Sequence, residues 1–186
     1  MDVTPHTRRL VLRQPRQDDA PRITRLLNNF AVAGKLSTVP YPYAESDAVW
    51  WLDRHGLDAP VGDTAFMLDL PGEGIIGNCA LHPNKAGEIV LGYWLAEPFW
   101  NRGFMTEAAA VVVDWYFGVT HAADLKSGLF AFNKASLAVQ RKLGFTEIGT
   151  SILHCLARNE DLRHIDTRLT RARWHELTGT TAKEAT

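Results

Sequence analysis

The stretch Trp94 to Ala109, WLAEPFWNRGFMTEAA, decides the fold. It begins inside Glu88 to Leu95 (EIVLGYWL), a run rich in β-branched and aromatic residues that reads as a strand. Glu97-Pro98 ends its pairing, because proline has no amide to donate. Beyond Gly103 the apolar positions become Ala108, Val111, Val112, Trp115 and Tyr116, the spacing that lines one face of a helix. Asn101, Arg102 and Gly103 therefore fall where successive backbone amides are free and converge. Such amides, with a helix N-terminus behind them, hold a phosphate or pyrophosphate, and glycine permits close approach. The alternative on spacing alone is an ordinary strand-to-helix connection.

A second switch of the same kind lies downstream. Ser127 to Phe132 reads as a strand, and Asn133 to Phe145 (NKASLAVQRKLGF) continues from it as a helix. Asn133 suits the N-cap, Lys142 the last turn, and Gly144 a left-handed stop. Capping alone accounts for each of these residues. Two adjacent parallel strands that each open into a helix would leave a crevice at their carboxyl ends where a ligand can lie.

The pairing W-x-x-G-x-x-T-E-A, then N-x-x-S-x-x-V-x-x-K-L-G-F, resembles the GNAT superfamily of acetyl-coenzyme A dependent N-acetyltransferases. Thr7 to Leu27 (TRRLVLRQPRQDDAPRITRLL) looks like the first strand and helix of its RimJ/RimL branch, which includes acetyltransferases of ribosomal-protein N-termini. Arg163 to Trp174 (RHIDTRLTRARW) looks like its closing strand. The resemblance implies a mixed α/β fold whose central, mostly antiparallel sheet is splayed in the middle and flanked by helices. It implies acetyl-coenzyme A as cosubstrate, with the diphosphate on the backbone of Asn101, Arg102, Gly103, Phe104, Met105 and Thr106 beside Trp100. The amide of Leu95 or Ala96 would point at the acetyl carbonyl, and Asn133 and Ser136 would lie along the pantetheine and sulfur. Trp100, Asn101 and Met105 depart from the wider pattern. Asn101 matters most if its φ must be positive, a region asparagine visits more readily than most residues.

The implied reaction is attack of a neutral amine on a thioester, which requires removal of a proton from an ammonium and return of one to a thiolate. Many members use a tyrosine acid in the second helix, where this chain has Gln140. Ser136 is the candidate acid, against the alternative of a first-turn helix residue. Glu88 is the candidate base, on the face of Val90, where related enzymes carry a glutamate. It would act through water, or else be a solvated strand end. His82 and Tyr93 are the other candidates. The acceptor, a small-molecule amine or a peptide N-terminus, would lie near Tyr41, Tyr43 and Trp50. A catalytically inert, coenzyme A-binding sensor or interaction module of the same fold is the competing reading.

The 186 residues, 46% apolar, suit a single domain with one sizeable core. That core is expected over about 7–174, with a frayed tail over 175–186 and a monomer or homodimer as the assembly. The formal net charge of -1, with both signs mixed along the chain, gives no footprint for nucleic acid or membrane. Met1 to Arg9 lacks the apolar stretch of a signal peptide, and no apolar run has the ~18 residues of a span, so a cytoplasmic location is expected.

Two further patterns are set aside. Gly72-Glu73-Gly74-Ile75-Ile76-Gly77 matches the dinucleotide fingerprint, but Ile75 to Leu81 continue as another strand and not as a helix, so the glycines read as a hairpin. Thr64 to Leu70, Ile75 to His82 and Glu88 to Leu95 then form an antiparallel meander. Cys79-x-x-His82 with His154-Cys155 offers zinc ligand types, but neighbours in a strand point to opposite faces, so no metal is expected.

Overall fold

The computed structural model describes residues 6–55 and 60–179. Its strands are β1 (Val11–Arg13), β2 (Ala65–Leu70), β3 (Gly74–Pro83), β4 (Ile89–Leu95), β5 (Asp124–Phe130), β6 (Thr146–Cys155) and β7 (Glu160–Thr170). The helices are α1 (Ala20–Leu27), α2 (Phe30–Ala33), α3 (Glu45–Arg54), α4 (Phe104–Val119), α5 (Lys134–Lys142) and α6 (Arg171–Thr178). One mixed sheet has the order β1-β2-β3-β4-β5-β7-β6. Every pairing is antiparallel except β4 with β5, which is parallel and joined only at Val90 with Lys126 and Leu91 with Ser127. Beyond that point the two central strands diverge, and the sheet holds a wedge between them.

Helices cover both faces. Ile23, Leu27, Val32 and Leu52 from α1, α2 and α3 pack on Met67 and Ile75. On the other side Ala108, Val112, Val113 and Tyr116 of α4 pack on Phe66, Leu68, Ile76 and Leu91. The helical spacing beyond Gly103 thus buries α4 against the sheet, a removal of apolar surface that dominates the stability of such a domain. Gln140 of α5 is 1% exposed and fully engaged. Its Nε2 donates to Ser127 Oγ at 2.9 Å and to the Gly128 carbonyl at 3.2 Å, and its Oε1 accepts from Thr167 Oγ1 at 2.7 Å. Those bonds pin α5 to β5 and β7 immediately beside the wedge.

The expected meander is present, and Gly72 and Gly74, with φ of 86° and 74°, form the hairpin between β2 and β3. Several boundaries differ from the sequence reading; the strand read at Ser127 to Phe132 is β5, which begins earlier, at Asp124, and ends at Phe130. The first helix breaks into a 3-10 turn over Gln17–Asp19 and α1, because Asp19 receives both Arg13 and the Arg16 amide. The closing strand ends at Thr170, whose side chain accepts from the Arg173 amide and starts α6; buried Trp174 then bonds Asp114 of α4. The tail from His175 is therefore helical to Thr178 and ends at Gly179 in the left-handed region, while 180–186 lie outside the described residues. No described helix is long and apolar enough to cross a membrane.

Candidate active site

The wedge takes its shape from hydrogen-bond parity. The Ala96 amide donates to the Ile76 carbonyl at 2.9 Å, so Trp94 and Gly92, two and four residues earlier on β4, also turn their amides toward β3. The amides of Tyr93 and Leu95 consequently face the gap left by β5. Of the two, it is the Leu95 amide that faces the gap, since Ala96 is buried and its amide is engaged. The Leu95 carbonyl accepts the Trp100 indole N–H at 2.6 Å, tying the next turn to the strand end.

That turn is left-handed at two positions, one of them the Asn101 departure from the pattern. Asn101 has φ 59° and Gly103 φ 78°, both left-handed, and Gly103 caps α4 with no side chain bonded to the first-turn amides. The first-turn amides of a long helix are thereby left without a side-chain cap, at the positive end of its dipole. Arg102 turns away: its carbonyl accepts from Arg9 Nη1 at 2.9 Å, and its guanidinium lies over the Phe104 ring. Arg9 also bonds Glu107 Oε2 at 2.7 Å. Burial alone would raise the Glu107 carboxyl, but hydrogen bonds from Thr7 and Arg9 outweigh it and leave the group lowered.

A groove of about 390 Å³ runs from this turn to α5. It is lined by Leu95, Trp100, Asn101, Gly103, Phe104, Met105, Thr106, Asn133 and Ser136, so nearly all of the residues expected at the donor site share one surface. Ala96 and Arg102 do not line it. Asn133 caps α5 by accepting from the Ser136 amide at 3.2 Å, and Gly144, φ 90°, stops the helix as its position suggested. Lys35 was not anticipated; its ammonium sits 3.7 Å over the Trp100 ring, and burial lowers its pKa.

Ser136 is paired with Tyr93 across the wedge, hydroxyl to hydroxyl at 2.9 Å. Burial raises the Tyr93 phenol to about 12 despite its bond to Ser136, so it stands as a neutral proton carrier at ordinary pH. Gln140 is held by hydrogen bonds within the core, and the phenol at this place comes from Tyr93 on β4.

A larger cleft of about 1120 Å³ opens on the face of α1 to α3 and reaches Tyr93 and Ser136 through the wedge. Tyr43, Trp50 and Trp51 form its outer wall, as expected for two of them, while Tyr41 does not line it. Glu88 precedes β4 at the cleft edge. Its carboxylate accepts from Asn84 Nδ2 at 3.0 Å and lies 3.5 Å from Lys126 Nζ, and the Asn84 bond, then Lys126, holds its pKa below the usual value. His82 lines the same cleft with its pKa lowered, chiefly by burial. Ser151, His164 and Asp166 line it too and were not singled out from sequence, although the spacing of His164 and Asp166 puts both on one strand face.

Cys79 is buried in the core, which pushes its thiol up, and Cys155 lies against the Gly34 and Leu36 carbonyls. Among the described residues no group of three or more His, Cys, Asp or Glu is gathered to hold a metal.

The family described as Acetyltransferase (GNAT) domain matches residues 9–146. No curated protein sequence matches the chain. Among solved structures, Mycobacterium smegmatis RimJ in complex with CoA-disulfide superposes with a TM-score of 0.78 at 20% identity, over 96% of this chain and 94% of that one. The ribosomal-protein-S5-alanine acetyltransferase of Vibrio fischeri gives 0.75 at 21%, over 93% and 99%. The microcin C7 self-immunity acetyltransferase MccE, in complex with acetyl-CoA and AMP, gives 0.72 at 18%, over 88% and 93%.

Proposed function

We propose, for a chain that belongs to the acetyltransferase (GNAT) family, that it moves an acetyl group from acetyl-coenzyme A to a primary amine by direct attack on the thioester. The observation that carries this reading is the continuous groove from the uncapped start of α4 to the paired hydroxyls of Tyr93 and Ser136. The amides from Asn101 to Thr106 would hold the diphosphate, where the helix dipole favours negative charge. A branched side chain at Gly103 would meet both the strain of positive φ and the space the phosphate needs. Asn133 would lie along the pantetheine, and the Leu95 amide would donate to the oxyanion that develops during attack. The departing thiolate would take its proton from the pair formed by Ser136 and Tyr93.

The acceptor would enter by the opposite, aromatic-walled cleft. Its class would be a peptide N-terminus or a small-molecule amine, in keeping with the resemblance to the RimJ/RimL branch. At the cleft edge, Glu88 has a depressed pKa, which makes it a weak proton acceptor and a good counter-ion for an incoming ammonium. A module that binds coenzyme A without transfer is the second reading, favoured by the buried structural role of Gln140. Thiol release measured with a panel of peptides and small amines separates the two. Turnover of any of them excludes the inert module, and donor binding without thiol release across the panel excludes the transferase.

A further inference from the structure

The face of the sheet opposite Tyr93 and Ser136 carries a second proton-handling group. His164 on β7 stands opposite Phe130 of β5 and Ser151 of β6, and Asp166 stands opposite Gly128 and Gly149. Asp166 therefore has a glycine on either side. An ideal Cβ on Gly128 would fall on His164 Cε1 and come within 2.7 Å of Nε2, so the imidazole occupies the space a side chain at 128 would take. The ring leans across β5 toward the wedge. It is fixed there edge-on to Phe130, 5.9 Å between centroids at 86°, and by Nδ1 at 2.9 Å from Asp166 Oδ1. Ser151 Oγ donates to the same carboxylate oxygen at 3.0 Å. A carboxylate at Nδ1 keeps the proton on that nitrogen and leaves the Nε2 lone pair free.

The level of the ring along the sheet matters as much as its orientation. Parallel pairing ends at Leu91 with Ser127, so Gly128 and Phe130 belong to the diverging part of β5, level with Gly92 and Trp94 on β4. His164 and Asp166 flank that part, and both line the cleft that reaches Tyr93. Acid and base would then approach the thioester from opposite faces of one opening in the sheet.

Resting on the transferase reading above, we infer that His164 Nε2 accepts the proton of the acceptor ammonium and that Asp166 positions it. The ammonium gives one proton to Nε2, which passes it to solvent. The freed nitrogen pair forms the C–N bond while the carbonyl π pair moves onto oxygen. The carbonyl re-forms, the C–S bond breaks with its pair on sulfur, and the thiolate takes a proton from the pair formed by Tyr93 and Ser136. The second proton on the new nitrogen replenishes that pair. The groups facing His164 are Asp166 on its own strand, Ser151 on β6, and the Phe130 ring and Gly128 backbone on β5.

The test uses the full chain and an amine from the panel that the wild type acetylates. His164→Gln should lower kcat by ~10²-fold while the acetyl-coenzyme A shift in Tm stays, and added imidazole should restore rate in His164→Ala in proportion to its concentration. Asp166→Asn keeps the ring and should lower kcat as well, with the His164→Gln, Asp166→Asn double variant no slower than His164→Gln alone. A purely structural histidine would not answer to imidazole. Wild-type turnover with undiminished kcat in His164→Gln overturns the inference and leaves the transferase intact. If His164→Gln does not fold, undiminished kcat in folded Asp166→Asn overturns it equally. A wild type that binds the donor and acetylates no amine overturns both.

Discussion

The Tyr93 phenol lies 2.9 Å from the Ser136 hydroxyl and 3.3 Å from the Ser136 carbonyl, the tyrosine on β4 and the serine in the opening turn of α5, so hydrogen bonds tie strand to helix beside the wedge. A thiolate leaving there would find a donor already in place. Ser136→Ala and Tyr93→Phe should each reduce kcat by ~10²-fold with a smaller effect on donor KM, and the double variant should be little worse than the slower single one. Steady-state thiol release at saturating donor checks this. A change confined to KM would make Ser136 a binding or capping residue.

Buried phenols also set a limit on alkaline stability. Tyr93 and Tyr43 are raised by burial from the ordinary 10.0 to about 12. The folded state keeps protons that the unfolded chain has lost, so the stabilisation is complete below 10.0 and is lost as pH rises through about 12. Melting curves across that window should show a falling Tm, less steep in Tyr93→Phe. A Tm in Tyr93→Phe that falls as steeply as in the wild type would contradict the burial argument.

Gly103 joins backbone strain to ligand binding. A Cβ there would have Arg9 Nη2 at 3.5 Å, an ordinary contact, so the cost of Gly103→Ala comes from φ 78° and should be about 1–2 kcal/mol. Gly103→Val should in addition abolish the rise in Tm that coenzyme A gives the wild type by mass action. Folded Gly103→Val with a normal shift would place the diphosphate elsewhere.

Gln140 gives the contrasting case of a residue beside the wedge whose side chain is taken up by hydrogen bonds to β5 and β7. Gln140→Leu leaves the Thr167 hydroxyl and the Gly128 carbonyl short of a partner, at about 1–3 kcal/mol for each orphaned group. Tm should fall by roughly 2–4 °C per kcal/mol in a domain of this size. Rate per folded, donor-bound molecule should change far less than in Ser136→Ala. Calorimetry alongside active-site titration measures both.

Glu88 discriminates between a counter-ion and a base. Its lowered pKa predicts that Glu88→Gln raises the acceptor KM severalfold and leaves kcat nearly unchanged near pH 7 and near pH 9. A fall in kcat of ~10²-fold near pH 7 would restore the role of base working through water.

Much of this site is written in local sequence. The turn at Asn101 to Gly103 and the stop at Gly144 rest on backbone preference and the cap at Asn133 on its own side chain, and all three are where the sequence put them. The wedge was legible only through resemblance, because it depends on β4 and β5 being neighbours although a turn and the whole of α4 separate them in the chain, a pairing about which periodicity is silent. The engagement of Ala96 needs the β3 partner to be known. His164 is the clearest limit: its spacing from Asp166 is visible, but its direction is set by the missing side chain at Gly128, a residue 36 positions away. β6, exposed along most of its length, lacks the alternation that marks a half-buried strand.

A crystal structure of the complex with coenzyme A tests the central claim most directly. The diphosphate should lie within hydrogen-bond distance of the amides from Gly103 to Thr106, with the pantetheine along Asn133 and the sulfur between the Tyr93 and Ser136 hydroxyls. A diphosphate bound away from the start of α4, or a thiol lying outside the wedge, would contradict the account.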